Sequence, residues 1–243
     1  MTETLLGRKA LVTGSTDGIG AAIAGALAEA GAQVIITGRD AVKGEKMVAE
    51  LGGRATFVRA DLAEGGPVVR ALAAAAGPVD ILVNNAAMLL DPTPTGEVPE
   101  DVIDRALAIN IKAAFLLTGL VAPAMAERGS GVIVNLGSIN GFAGSARSAL
   151  YSMTKAAMHS LTKSWASEYA ESGVRINAVA PGPTMTGKVT AMADRLAPMI
   201  ARFPSRRPST PDEVARAVLF LAGDGAANIH GAVLPVDGGA SAI

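Results

Sequence analysis

Short apolar, β-branched runs alternate with helical stretches along the whole chain, and this alternation limits the fold more than any other feature. The strand-like runs lie within RKALVTG, AQVIITGRD, RATFVRADL, VDILVNNAA, SGVIVNLGS, GVRINAVAPG and GAVLPVDGG. They are nearly continuous in apolar character, as strands covered on both faces are. Strands separated by helices require right-handed crossovers, and these generate a parallel sheet. The expected architecture is therefore α/β: a doubly wound, Rossmann-like parallel sheet of about seven strands, in one domain over residues 1–243. Residues 100–129 are expected to form one long helix, broken near Pro123. TPDEV, from Thr210 to Val214, has the Thr and Glu spacing of a capping box. Residues 183–209, with prolines at 183, 198, 204 and 208, are expected to be irregular, as lids and binding loops are.

Composition narrows the chemistry. Half the residues are hydrophobic but only 3% are aromatic, so Ala, Val, Leu and Ile must build the core. The formal charge of −1 offers nothing to nucleic acid or to an anionic membrane. No cysteine is present, which excludes disulfides, thiolate catalysis and cysteine-held metal; with two histidines, a multi-histidine metal site is not expected either. The first ten residues lack the apolar core of a signal peptide. The uncharged stretch between Lys112 and Glu127 is too short to span a bilayer and contains Pro123. A soluble, cytoplasmic protein is expected.

The first strand runs into TGSTDGIG, with Gly14, Gly18 and Gly20 at the start of a helix. Such a turn lets the backbone approach a pyrophosphate, and the helix N-terminus supplies free N–H groups and a positive dipole end. An ordinary tight turn would read the same way. Farther on, Tyr151 stands four residues before Lys155, on one face of a helix. An adjacent cation favours a phenolate over a phenol, so the pair suits proton transfer.

These fragments occur in an order that resembles the short-chain dehydrogenase/reductase family almost end to end. The turn matches its T-G-x-x-x-G-I-G, and Asp61 and Leu62 resemble its adenine-pocket pair. Asn84 to Ala87 resembles N-N-A-G, with Ala87 replacing the glycine. Asn110 matches the asparagine of the long helix, and Ser138 precedes Tyr151-x-x-x-Lys155 by the usual interval. Pro181, Gly182 and Thr186 match P-G-x-x-x-T, and VDGG at 236–239 is typical of the last strand.

The resemblance implies hydride transfer between a nicotinamide and a ketone, aldehyde or alcohol. Tyr151 would be the acid or base. Lys155 would lower its pKa and reach the cofactor ribose. Ser138 would orient the carbonyl oxygen, and Asn110 would hold a relay water. The implied cofactor contacts are Gly14, Ser15, Thr16, Asp17, Gly18, Ile19, Gly20, Arg39, Asp61, Leu62, Asn85, Ala86, Ala87, Tyr151, Lys155, Pro181, Gly182, Thr184 and Thr186. Gly38–Arg39 at the end of the second strand lacks the acid that binds both ribose hydroxyls, so NADP(H) is favoured. Asp17, where NADP enzymes of the family often carry a basic residue, keeps NAD(H) open. The substrate is expected to be a small molecule with apolar bulk, covered by residues 183–209. That segment carries Met185, Met192 and Met199, as well as Arg195, Arg202, Arg206 and Arg207. A homotetramer is expected by resemblance, packed through helices around 101–127 and 150–171 and the C-terminal strand. Trp165 and Tyr169 are expected to pack, and His159 receives no role. Two alternatives stay open: a non-catalytic dinucleotide-binding regulatory or scaffold protein, and a non-redox enzyme on the same fold.

Overall fold

A computed structural model of the chain describes residues 4–190 and 193–242. Seven strands form one sheet: β1 (Lys9–Val12), β2 (Gln33–Gly38), β3 (Ala55–Arg59), β4 (Ile81–Asn84), β5 (Gly131–Leu136), β6 (Val174–Pro181) and β7 (Val233–Val236). All pair in parallel, in the order β3-β2-β1-β4-β5-β6-β7. Every expected strand is present. The order reverses between β1 and β4, so a crevice opens beyond the carboxyl ends of these two strands, where ligands of such sheets bind.

Successive residues of each strand face opposite sides. Val12, Ile36, Val83 and Val134 join α1 (Gly18–Glu29) and α9 (Pro211–Ala222) in one apolar layer. Leu11, Ile35, Leu82 and Ile133 face the other way, towards α3 (Gly66–Ala76), α5 (Ala113–Glu127) and α6 (Ala149–Tyr169). These strand residues are all buried, each contributing about 1.5–3 kcal/mol. Trp165 packs in the second layer, 5.8 Å from Phe115 between ring centroids. Thr210 and Glu213 close the expected capping box on α9.

Two expectations need correction. The long helix is not broken at Pro123, which lies inside α5. The break comes earlier. Between α4 (Glu100–Leu107) and α5, Ala108–Lys112 forms a π-turn centred on Asn110. By length and composition the continuous 28-residue stretch would suffice to cross a membrane. Here Leu117, Val121 and Met125 bury one face of it against the sheet. The second correction is at 183–209, which contains α7 (Gly187–Thr190) and α8 (Ala193–Ile200). Pro198 sits inside α8. Its missing N–H costs the bond that would reach back to the Asp194 carbonyl in the first turn of the helix. Met185 and Met199 are exposed, and Met192 lies outside the described residues.

Candidate active site

The glycine turn is fixed by its neighbours. Asn85 Nδ2 donates to the carbonyls of Thr13 (2.8 Å) and Gly14 (3.0 Å). Thr13 Oγ1 accepts from the amides of Asn85 and Ala86, both at 3.0 Å. The β1–α1 turn and the segment after β4 therefore form one rigid floor. Gly14 has φ +63°, and a Cβ on it would lie 2.9 Å from Ala86 Cα. A Cβ on Gly20 would run into the Gly14 carbonyl. Beyond this floor, the first-turn amides of α1 at Ile19 and Gly20 have no partners within the helix. The cradle has the backbone access and free donors that a dinucleotide pyrophosphate requires.

A cleft of about 670 Å³ opens on this floor. Most of the expected cofactor residues line it: Gly14, Thr16, Asp17, Gly18, Ile19 and Gly20 from the turn, then Arg39, Asp61, Leu62, Asn85, Ala86, Ala87 and Thr186. A Cβ on Gly18 would lie 3.1 Å from Thr186 Cγ2, so the segment after β6 folds over the turn. Six expected residues do not line it: Tyr151 and Lys155, described below, and four more. Ser15 is fully buried; its hydroxyl donates to the Val12 carbonyl (2.7 Å) and accepts from the Thr37 amide (3.0 Å), joining β1 to β2. Thr184 is buried and its hydroxyl donates to the Gly182 carbonyl at 3.0 Å. Pro181 ends β6, and Gly182 is pressed against Asp237. These four shape the walls and do not line the cleft.

The sequence reading missed Lys43 and Arg105, which also line the cleft. Lys43 Nζ lies 2.6 Å from Asp17 Oδ2 and so neutralises the acid at the turn. The signal for Lys43 was its place in the first turn of α2 (Ala41–Leu51), directly beyond the carboxyl end of β2.

Past the inner end of the cleft, α6 presents Tyr151 and Lys155. Tyr151 is half-buried, and the Ser138 hydroxyl is near enough to work on its phenol. Lys155 is buried, with Nζ 5.7 Å from the Tyr151 ring centroid and donating to the Leu136 carbonyl at 2.8 Å. Burial pushes the Lys155 ammonium down to about 8. Burial also raises the Tyr151 phenol, and the Ser138 hydroxyl works against that rise. Burial and Ser138, not Lys155, are what act on the phenol here, and the Lys155 ammonium is directed at Leu136. Asn110 Oδ1 accepts from the Met88 amide at 2.6 Å, while Nδ2 donates to Met88 O and to Thr154 Oγ1, each at 3.2 Å. Its side chain ties the segment after β4 to α6. Asn110, Lys155, Thr13 and Asn84 line a small cavity of about 10 Å³, and Asn84 Oδ1 there is buried with no hydrogen-bond partner.

Comparisons with known proteins agree with this arrangement. Residues 14–241 match the family model described as enoyl-(acyl carrier protein) reductase, one of the short-chain dehydrogenase/reductase group. A cis-4-hydroxycyclohexanecarboxylate dehydrogenase from Sinomonas cyclohexanicum is 41% identical over 251 residues, covering 100% of both chains. A solved structure of a candidate NAD(P)-dependent gluconate 5-dehydrogenase from Beutenbergia cavernae, with NADP bound at low occupancy, is 38% identical with TM-score 0.93 and covers 100% of both chains. The structure of 3-ketoacyl-(acyl-carrier-protein) reductase from Brucella melitensis complexed with NADH is 33% identical with TM-score 0.92, covering 98% of this chain and 100% of that one. With the parallel sheet, the glycine cradle and these likenesses in agreement, the chain belongs to the short-chain dehydrogenase/reductase family, whose members are NAD(P)-dependent oxidoreductases of alcohol and carbonyl groups.

Proposed function

We propose that the protein interconverts a ketone or aldehyde and an alcohol with NADP(H) as the preferred cofactor. The observation that carries the catalytic reading is the meeting of Ser138, Tyr151 and Lys155 at the head of α6, with Lys155 Nζ 5.7 Å from the Tyr151 ring centroid and Ser138 acting on the phenol. The nicotinamide, when bound, exchanges hydride with the substrate carbon. The Tyr151 hydroxyl passes its proton to the substrate oxygen in reduction and takes it back in oxidation. Ser138 donates to the same oxygen and holds it against the phenol. A Lys155 ammonium that leaves the Leu136 carbonyl for the cofactor side would stay close to the ring and favour the phenolate. The small cavity between Asn84, Asn110 and Lys155 is large enough for one water, which supports a proton path from the lysine through the region of Asn110.

The cofactor preference rests on the end of β2. A Cβ at Gly38 would lie 2.8 Å from Thr16, so that position cannot carry the acid that pairs with both ribose hydroxyls. Asp40 lines the cleft, but its Oδ1 caps α2 by accepting from the Lys43 amide at 3.1 Å. Arg39 and Lys43 remain as cations for a 2′-phosphate. Residues 183–209 would cover the substrate, a small ketone or secondary alcohol with apolar bulk. The cyclic hydroxy acid named for the Sinomonas relative is a reasonable first compound to assay. Exposed Phe115, Leu120 and Met153 on α5 and α6 would lie in an interface of a homotetramer.

A panel of carbonyl and alcohol substrates followed at the nicotinamide absorbance, with each cofactor, tests this reading. NADPH should exceed NADH in kcat/KM, and Arg39→Asp should reverse the preference by about one to a few kcal/mol. A tenfold advantage for NADH in the wild-type protein would overturn the cofactor assignment. Product formed without net change in nicotinamide would favour a non-redox enzyme.

A further inference from the structure

His159 lies one turn beyond Lys155 on α6, in none of the roles above. Its imidazole is 6% exposed and sits beneath the turn that carries Ser138. The Ser138 backbone N–H donates to Nε2 at 3.4 Å. Gly141 lies against Nδ1, and its backbone favours the protonated ring, as a carbonyl facing an Nδ1–H does. One neutral tautomer satisfies both contacts: hydrogen on Nδ1 and a lone pair on Nε2.

The turn is shaped to that ring. A Cβ on Gly137 would lie 2.6 Å from Cδ2, and one on Gly141 would lie 2.7 Å from Nδ1. Phe142 covers the imidazole with centroids 4.6 Å apart at 48°. Packing alone would explain the burial and the two glycines, but an apolar side chain would fill the space equally well. It does not explain a ring nitrogen paired with the amide of the very residue whose hydroxyl meets Tyr151.

We propose that His159 is a positioning residue, its neutral imidazole clamping Ser138 and Gly141 so that the Ser138 hydroxyl is held towards Tyr151. The proposal rests on the reading of Ser138 and Tyr151 given above. Lys155 and Lys163 on α6 bear on the ring, and residues 137–142 bring no acid or base to it. Burial first, then these two ammonium groups, hold the imidazole down to about 4, so it stays neutral at ordinary working pH. A protonated ring could not accept from the Ser138 amide.

Two variants separate positioning from packing: His159→Phe keeps a ring and deletes both contacts, whereas His159→Gln keeps an acceptor and a donor. For His159→Phe, kcat should fall about tenfold to a hundredfold, with NADPH affinity by fluorescence nearly unchanged. Its basic-limb pH should rise, because the phenol loses the Ser138 hydroxyl that opposes its upward shift. His159→Gln should recover most of the loss in kcat and restore the limb. A Phe variant with wild-type kcat and pH limb, or Gln and Phe variants impaired equally, would sink the proposal. Should neither variant fold, the 15N shifts of His159 in the wild-type protein decide. An Nδ1–H tautomer persisting to about pH 5 supports the clamp, and an Nε2–H tautomer or an imidazolium at about pH 6 overturns it. Ser138→Ala serves as the reference: if it is as active as wild type, the reading of Ser138 fails, whatever His159 does.

Discussion

The two halves of the site are built in opposite ways. On the dinucleotide side the working atoms belong to the backbone. Gly14, Gly18 and Gly20 clear a path, and Thr13 and Asn85 lock the turn with four hydrogen bonds at 2.8–3.0 Å. On the chemical side the working atoms are side-chain termini from separate elements, Ser138 after β5 and Tyr151 and Lys155 on α6. Tyr151 and Lys155 are buried enough for burial to be the leading influence on their proton affinities. Lys155 moreover donates to the Leu136 carbonyl of β5. The first half depends on the path of the backbone. The second depends on side chains that packing brings together.

The sharpest way to break this comparison is Tyr151→Phe. The ring and its packing remain, and only the hydroxyl is lost. Turnover should fall by about 10²–10⁴-fold, the usual worth of a positioned acid–base group. Cofactor affinity, set by the other half, should stay close to wild type. A kcat reduced less than tenfold would remove Tyr151 from the proton path.

The backbone half is tested by Gly20→Ala. A Cβ there would lie 2.5 Å from Asn85 Nδ2 and collide with the Gly14 carbonyl, and neither can yield without parting the turn from the segment after β4. Overpacking of this kind costs about 1–3 kcal/mol in stability, and NADPH affinity should drop by about tenfold or more with it. Gly25→Ala on the same helix is the control: nothing lies within 4 Å, and helix propensity predicts a gain of up to about 1 kcal/mol. Chemical denaturation and fluorescence titration of the two variants measure both effects.

The same division explains what the sequence could reveal. The seven strands and the glycine cradle were legible because spacing alone dictates them: β-branched runs specify strands, and a backbone path needing φ +63° demands a glycine at 14. Ser138, Tyr151 and Lys155 were legible only as an ordered set, since each residue alone is commonplace. What escaped was whatever depends on tertiary partners. The hydroxyl of Ser15 reads as a ligand contact in the motif, yet it satisfies strand amides in the core. The π-turn at Asn110 is stabilised by Met88 and Thr154, residues remote in sequence, so local propensity pointed instead to Pro123. The direction of Lys155 is likewise set by a carbonyl of β5 that no helical spacing reveals.

The smallest effect lies on the rim between the halves' electrostatics, at Lys43. Its pair with Asp17 is solvent-exposed, with side chains 51% and 65% accessible, so entropy and screening leave it little weight in stability. Lys43→Met should therefore hardly move the unfolding midpoint. Cofactor binding should respond more. With the ammonium gone, the Asp17 carboxylate loses that positive charge beside the phosphate cradle, which weakens both cofactors; the lost cation also weakens any 2′-phosphate contact, which burdens NADPH alone. NADPH affinity should thus fall severalfold more than NADH affinity, and the gap should narrow as salt is raised and screening shortens the reach of the charges. Equal loss for both cofactors would leave Lys43 as a counter-ion to Asp17 and return the 2′-phosphate to Arg39 alone.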